Sequence, residues 1–286
     1  MTIKYLAITG AAMIFLSCGS NNIGTVQVFV EPEGTITHGL QAGDGDEDIK
    51  DGWNVTYTKF ITVIGNFRAW RSSQPGSVLR DPTIYVVDLQ QTPAGGLILA
   101  TFNDVDAERW DKFGYDIPNA SATAIRAQGT SLEDFNRMID GGYSLHVAGI
   151  MTKGLETIQF DWMLKAGTSF DDCAPADGDA GFAVPSGGTV AIKPTIHGDH
   201  WFFTNVTHGE EITERRAQWI ADADLDHNAT TTLDELGQAQ ASNLFPAQFY
   251  SLPENTLTGL GYLNHQARTL GDFDGEGECP TRKEIP

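Results

Sequence analysis

Basic residues are scarce in this chain. Its 286 residues carry 18 Lys+Arg against 38 Asp+Glu, a formal charge of −20. Such a chain repels phosphates unless a local basic stripe offsets the field, and its densest basic cluster is the pair Arg215-Arg216. A nucleic-acid partner is therefore not expected. Cysteine is scarce too: three residues are too few for a disulfide scaffold. Beyond the N-terminus no stretch reaches 18 consecutive apolar residues, the length a membrane-crossing helix needs. The sequence also lacks a G-x-S-x-G elbow, a P-loop, H-E-x-x-H and a G-x-G-x-x-G after a strand. Ser169 and Ser186 have no neighbouring base in sequence. A hydrolase or sugar-binding module thus has no motif behind it, and no catalytic group is nominated. There is no internal repeat.

What is present describes a globular β protein. Hydrophobic residues make up 41% and charged residues 20%, and 31 glycines indicate many turns. A strand is expected over residues 25–30. Trp53, Val55, Tyr57, Lys59 and Ile61 then alternate with polar neighbours at the period of a strand, until Ile64-Gly65-Asn66-Phe67 permits a bulge or turn. Further strands are expected over 83–89, 96–102, 143–152, 155–164 and 189–196. Ser131 followed by Asp134 marks a helix start, and that helix should end before Gly141. Helices are expected at 210–223 and 233–244. The fold class is mainly β, an antiparallel β-sandwich or barrel with a C-terminal helix-loop-helix. The expected division is a signal peptide over 1–17, a tether over 18–24, a β-sandwich over 25–205, and a helix-loop-helix with C-terminal loop over 206–286 packed on it.

The first twenty residues combine Lys4, an apolar run from Tyr5 to Leu16, and Phe15-Leu16-Ser17-Cys18. The run is too short to span a bilayer but suits a signal-peptide core. The last four residues resemble a bacterial lipobox, although Phe15 stands where an aliphatic residue is usual. The resemblance implies export, lipidation of Cys18 and a membrane contact through that anchor alone. An ordinary secretory signal with Cys18 incidental is the alternative. Two cysteines then remain, Cys173 and Cys279, and in an oxidising compartment two such residues usually pair, although two free thiols stay open. The sequons at Asn54, Asn119, Asn205 and Asn228 are read as chance beside a lipobox.

A run of oxygen-bearing residues lies between the two expected C-terminal helices. Calcium takes six to eight oxygens, and an EF-hand loop supplies them from positions 1, 3, 5, 7, 9 and 12. Starting at Asp222 puts Leu233 at position 12, which has no side-chain oxygen. Starting at Asp224 gives Asp226, Asn228, Thr230, Thr232 and Glu235 in the required order. Residues 210–244 thus resemble an EF-hand. The resemblance implies side-chain oxygens from Asp224, Asp226 and Asn228, the Thr230 carbonyl, a hydroxyl or held water at Thr232, and a bidentate Glu235. Two positions depart from the pattern: Ala229 replaces the turn glycine, and Thr231 replaces the aliphatic residue that packs between paired loops. With no second EF-hand, affinity in the ~10⁻⁴–10⁻³ M range is expected. An acidic turn without metal is the alternative. The acidic runs at Asp44 to Asp48 and Asp272 to Glu278 lack this spacing and read as solvated turns.

Thr195 to Phe203 carries His197 and His200 on either side of Gly198-Asp199. Residues three apart in a straight strand face opposite ways, so both rings converge only if the chain turns at Gly198. Two imidazoles and a carboxylate would then suit zinc or copper, with His146 or His208 as a third ligand. The stretch resembles the His/Asp-His-aromatic segment of the bacterial periplasmic copper-binding proteins associated with methanobactin systems, with a vaguer likeness around Asp51-Gly-Trp53. Those are exported proteins rich in β structure, and the resemblance implies a copper site. A polar turn closing a strand is the alternative. Calcium as a structural ion and copper or zinc at the histidines are thus the two cofactor expectations.

Overall fold

A computed structural model describes residues 22–93, 95–176, 178–205 and 213–286. The signal segment, Cys18 and His208 lie outside the described residues. The protein is mainly β, with multi-stranded curled sheets in a sandwich-like arrangement and few helices.

The larger sheet is organised around the strand Asn54–Arg71, which pairs antiparallel with Gln74–Asp88, Lys112–Ile117 and Leu145–Lys153 along different parts of its length. Glu156–Leu164 extends this sheet on one side, and Thr168–Asp171 with the C-terminal Thr281–Glu284 extends it on the other. The smaller sheet is built on Ile23–Pro32, flanked by Leu97–Asp106, Thr189–Ile192 and Pro194–Ile196, with Gly271–Phe273 at its edge. Two of these contacts, with Thr189–Ile192 and Pro194–Ile196, are parallel. The expected strand over 189–196 is therefore two short strands, interrupted at Lys193. Residues after 206 do more than form helices: they return Gly271–Phe273 and Thr281–Glu284 to the two sheets.

The long central strand bends through bulges. Tyr57 pairs with Gly149 but Lys59 with Ala148, so Thr58 is an extra residue and the inward parity flips there. Trp53, Val55 and Tyr57 face the main core as the alternation predicts. Beyond the bulge Phe60 takes that face, and Ile61 turns to the opposite one, against Met138 of the helix Leu132–Gly141. Asn66, at φ 49°, marks a second irregularity, after which the strand continues to Arg71. The main core is aromatic: Tyr57, Phe60, Phe160, Trp162 and Trp201 are all buried. Trp219 stacks on Trp162 and meets Phe245 and Tyr262, which joins the C-terminal helices to the sheet.

Candidate metal centres

The smaller sheet ends where Pro194–Ile196 runs into Gly198. A Cβ there would lie 2.8 Å from the Ile36 side chain, so the tight passage requires glycine. Gly198 N–H donates to Thr35 Oγ1 (3.1 Å) and Glu33 Oε2 (3.3 Å), and its carbonyl accepts from the Tyr57 hydroxyl. Trp201 Nε1–H donates to the same Tyr57 oxygen at 2.9 Å. The chain then coils into the 3-10 turn His200–Phe202. The turn brings both imidazoles to one side, with ring centroids 5.0 Å apart and both side chains buried.

Carboxylates surround them. Asp272 Oδ2 lies 3.3 Å from His197 Nε2 and 3.9 Å from His200 Nε2. Ligands bonded at about 2.0–2.1 Å to one tetrahedral ion sit roughly 3.4 Å apart, so these separations suit a shared cation. His197 Nδ1 lies 3.7 Å from Asp199 Oδ1 and 3.8 Å from Glu33 Oε2. Thr269 Oγ1 donates to the Gln266 carbonyl (2.8 Å), so it accepts from His200 Nδ1–H (2.9 Å), and the Nε2 side of the ring faces Asp272. Such a hydrogen bond fixes the tautomer and orientation of a metal-ligating histidine. Asp199 Oδ2 accepts from Arg215 Nε at 2.6 Å, whereas its buried Oδ1 has no hydrogen-bond partner.

The electrostatics reflect this crowding. Burial works to lower the His197 pKa, but the Asp199, Asp272 and Glu33 carboxylates outweigh it and push it up to about 10. Burial raises Asp272 to about 7 against the opposing charge of His197. Asp199 is held below the ordinary carboxylate range: burial opposes ionisation, and contacts with His197, His200 and Arg215 overcome it.

The expected third ligand needs correction. His146 lies on Leu145–Lys153 opposite Ile61 and Met163, on the sheet face turned away from the main core, and bonds to Asp161 Oδ1 at 2.7 Å. One residue of strand parity separates it from Val147, which does face that core. Asp272 occupies the place assigned to it, although the run Asp272 to Glu278 reads in sequence as a solvated turn. Glu33 likewise carries no motif in sequence and reaches His197 only in the fold. The signal available was the concentration of four acids just before Cys279.

The calcium-type loop is assembled differently, from consecutive residues. Carboxylate oxygens of Asp224, Asp226 and Glu235 lie within 4.8 Å of one another. Asp224 accepts from the Asn228 (3.1 Å) and Ala229 (2.9 Å) amides. Ala229 adopts φ 65°, the left-handed conformation that position 6 demands, and His227 adopts φ 58°. Glu235 Oε1 accepts the Leu225 (3.0 Å) and Asp226 (3.3 Å) amides, and Oε2 accepts from Thr232 N (2.9 Å) and Oγ1 (2.7 Å). Burial works to raise the Glu235 carboxyl, but these donors hold it below its ordinary value.

The flanking helices are shorter than expected. Among the described residues the incoming helix is only Gln218–Asp222, started by the Asp51 carboxylate, which accepts from the Ala217 and Gln218 amides. Before it, the Glu214 carbonyl accepts from the Thr204 amide and Arg215 bridges to Phe203 and Ile49, so no helix forms there. The outgoing helix is Leu233–Gln238, with a Thr232/Glu235 capping box; Ala239 breaks it, and a separate turn follows at Ala241–Leu244. Thr230 and Thr231 pair in parallel with Gln159 and Phe160, so an edge strand of the larger sheet stands where a second loop would pair. Trp162 Nε1–H donates to the Thr231 carbonyl at 3.0 Å, and Thr231 Oγ1 to the Ile220 carbonyl at 2.7 Å.

Cys173 and Cys279 form a disulfide across a sequence separation of 106. It ties the segment bearing Asp272 and Glu276 to the end of Thr168–Asp171. Comparison with known proteins gives no match: no family model, curated protein or solved structure is similar enough to assign this chain to a family.

Proposed function

We propose that this is an exported, lipid-anchored cell-envelope protein that binds a transition metal, zinc or copper, through His197 and His200, without catalysing a reaction. One observation carries the reading: two buried imidazoles converge on Asp272 and Asp199. Burying several ionised groups costs several kcal/mol each unless they are paired. Arg215 pairs with Asp199 and Arg282 lies 3.8 Å from Asp272, and a divalent cation would take the place of the imidazole protons between these carboxylates. Calcium in the Asp224 loop is proposed alongside as a structural ion. Its support is the convergence of Asp224, Asp226 and Glu235 in a loop that pairs with the sheet edge.

Elemental analysis of full-length protein extracted from membranes tests both parts. We expect about one zinc or copper per chain, with calcium retained at millimolar concentration. His197→Ala with His200→Ala should abolish the transition metal and spare calcium. Transition metal in the double variant, or none in the parent protein, overturns the assignment. Recovery of the parent only in the soluble fraction overturns the anchor.

A further inference from the structure

We propose that Glu33, Glu276 and His197 form an outer cation position that captures a divalent ion at the surface and passes it inward to the His197–His200 centre. The proposal rests on the transition-metal reading of that centre. One ligand atom from each of Glu33, His197 and Glu276 lies within 4.8 Å of the others, and so does one from each of His197, Asp199 and His200. His197 belongs to both sets. The outer set runs from exposed Glu276 through half-buried Glu33 to buried His197, a path from solvent to interior.

The two nitrogens of His197 face different donors. Nδ1 looks toward Glu33 Oε2 (3.8 Å) and Asp199 Oδ1 (3.7 Å), the buried oxygen without a hydrogen-bond partner. Nε2 looks toward Asp272 Oδ2 (3.3 Å), which is 3.9 Å from His200 Nε2. A cleft of about 260 Å³ is lined by Glu31, Glu33, Lys193, Thr195, Asp274 and Gly275, next to this ring. Glu33 belongs to both the cleft wall and the outer set, and the Gly275 carbonyl lies 3.3 Å from His197 Nε2. The basic side chain of the wall, Lys193, is bonded to Glu31 at 2.6 Å.

Carboxylates in excess at a mouth, here Glu33 and Asp274 beside the paired Lys193 and Glu31, concentrate a hydrated cation, whereas borderline ions such as Cu²⁺ and Zn²⁺ are held better by imidazole. Transfer exchanges water and carboxylate oxygens for ring nitrogens, and the charge of the ion does not change. A position on the path that does not hold the ion at equilibrium speeds arrival and departure alike.

Stopped-flow quenching of tryptophan fluorescence by Cu²⁺ tests this on the full-length protein, with release followed by excess EDTA. Glu276→Gln should lower the association and dissociation rates together, each about tenfold, with Kd changed less than about twofold. Glu133→Gln, which removes the same charge from the helix Leu132–Gly141, should change neither rate. The proposal is overturned if Glu276→Gln leaves the association rate at the parent value. It is also overturned if that variant weakens binding through faster dissociation alone, because Glu276 would then be a ligand of the final centre. Failure of the parent protein to bind Cu²⁺ would instead remove the transition-metal reading itself.

Discussion

Glu235 and Asp222 separate the two registers available to the calcium-type loop. Glu235 lies inside it, gathering the Leu225 and Asp226 amides, whereas Asp222 ends the incoming helix and accepts from Gln218. Glu235→Gln should therefore weaken calcium binding at least tenfold, while Asp222→Asn should change it by less than about twofold. Ala229→Gly should tighten binding a few-fold, because a residue with a Cβ at φ 65° costs about 1 kcal/mol. Titration calorimetry on the three variants checks the order; a larger loss from Asp222→Asn than from Glu235→Gln would reverse the register. The convergence of Asp224, Asp226 and Glu235 was legible because all three come from a dozen consecutive residues. The histidine centre was legible only in part. His197 and His200 lie three apart in sequence, but Glu33 and Asp272 arrive from opposite ends of the chain, and no local spacing announces them.

At the level of single elements, parity decided what could be read. Period-two alternation correctly placed Trp53, Val55 and Tyr57, then failed at the Thr58 bulge, since one extra residue exchanges the faces of everything after it. The same rule places His146 on the sheet face away from His197 and His200. The C-terminal helices are shorter than the pattern suggests because tertiary pairing competes with helix propensity: Arg215 bridges to Ile49 and Phe203, and Gln240 bridges to Thr258.

The helix Leu132–Gly141 was read closely because its start is encoded by neighbours. Ser131 Oγ accepts from the Asp134 amide at 3.0 Å, and the Asp134 carboxylate takes bonds from Ser131 Oγ (2.7 Å) and from Lys59 on the central strand. Burial works to raise the Asp134 pKa, but these donors and the Lys59 charge hold it below the ordinary carboxylate value. With a depressed folded value, the stabilisation is complete above the unfolded pKa and is lost as pH falls through the folded one. Asp134→Asn should cost about 0.5–1 kcal/mol at pH 7, allowing for the partial exposure of Lys59. Urea denaturation repeated from pH 7 down to pH 3 should show the gap between variant and parent narrowing; a gap independent of pH would mean that the charge of Asp134 contributes nothing.

On the scale of the molecule, the two sheets are closed by the end of the chain, because Gly271–Phe273 completes the smaller sheet and Thr281–Glu284 completes the larger. The disulfide lies between these two strands and holds the segment that carries Asp272, Gly275 and Glu276. Backbone bonds already favour its position: the Ala174 amide donates to the Glu278 carbonyl at 2.9 Å, and Phe273 and Gly277 exchange bonds at 2.7 and 3.0 Å. A Cβ on Gly277 would meet both the Ala174 and Phe273 carbonyls at 2.3 Å, so these segments pack closely without help from the covalent link. The cross-link therefore acts chiefly on the unfolded chain. Closing a loop across a separation of 106 removes conformational freedom worth about 4–5 kcal/mol in the chain-entropy model. Replacing both residues, Cys173→Ala with Cys279→Ala, avoids the stray thiol that a single change would leave. The double variant should still fold with both sheets intact, and its Tm should fall by roughly 10 °C under oxidising conditions. Under strong reductant the parent should lose most of this advantage, and the variant's Tm should not move. Equal Tm values for parent and variant in oxidising buffer would show that the closure of the sandwich rests on strand pairing alone.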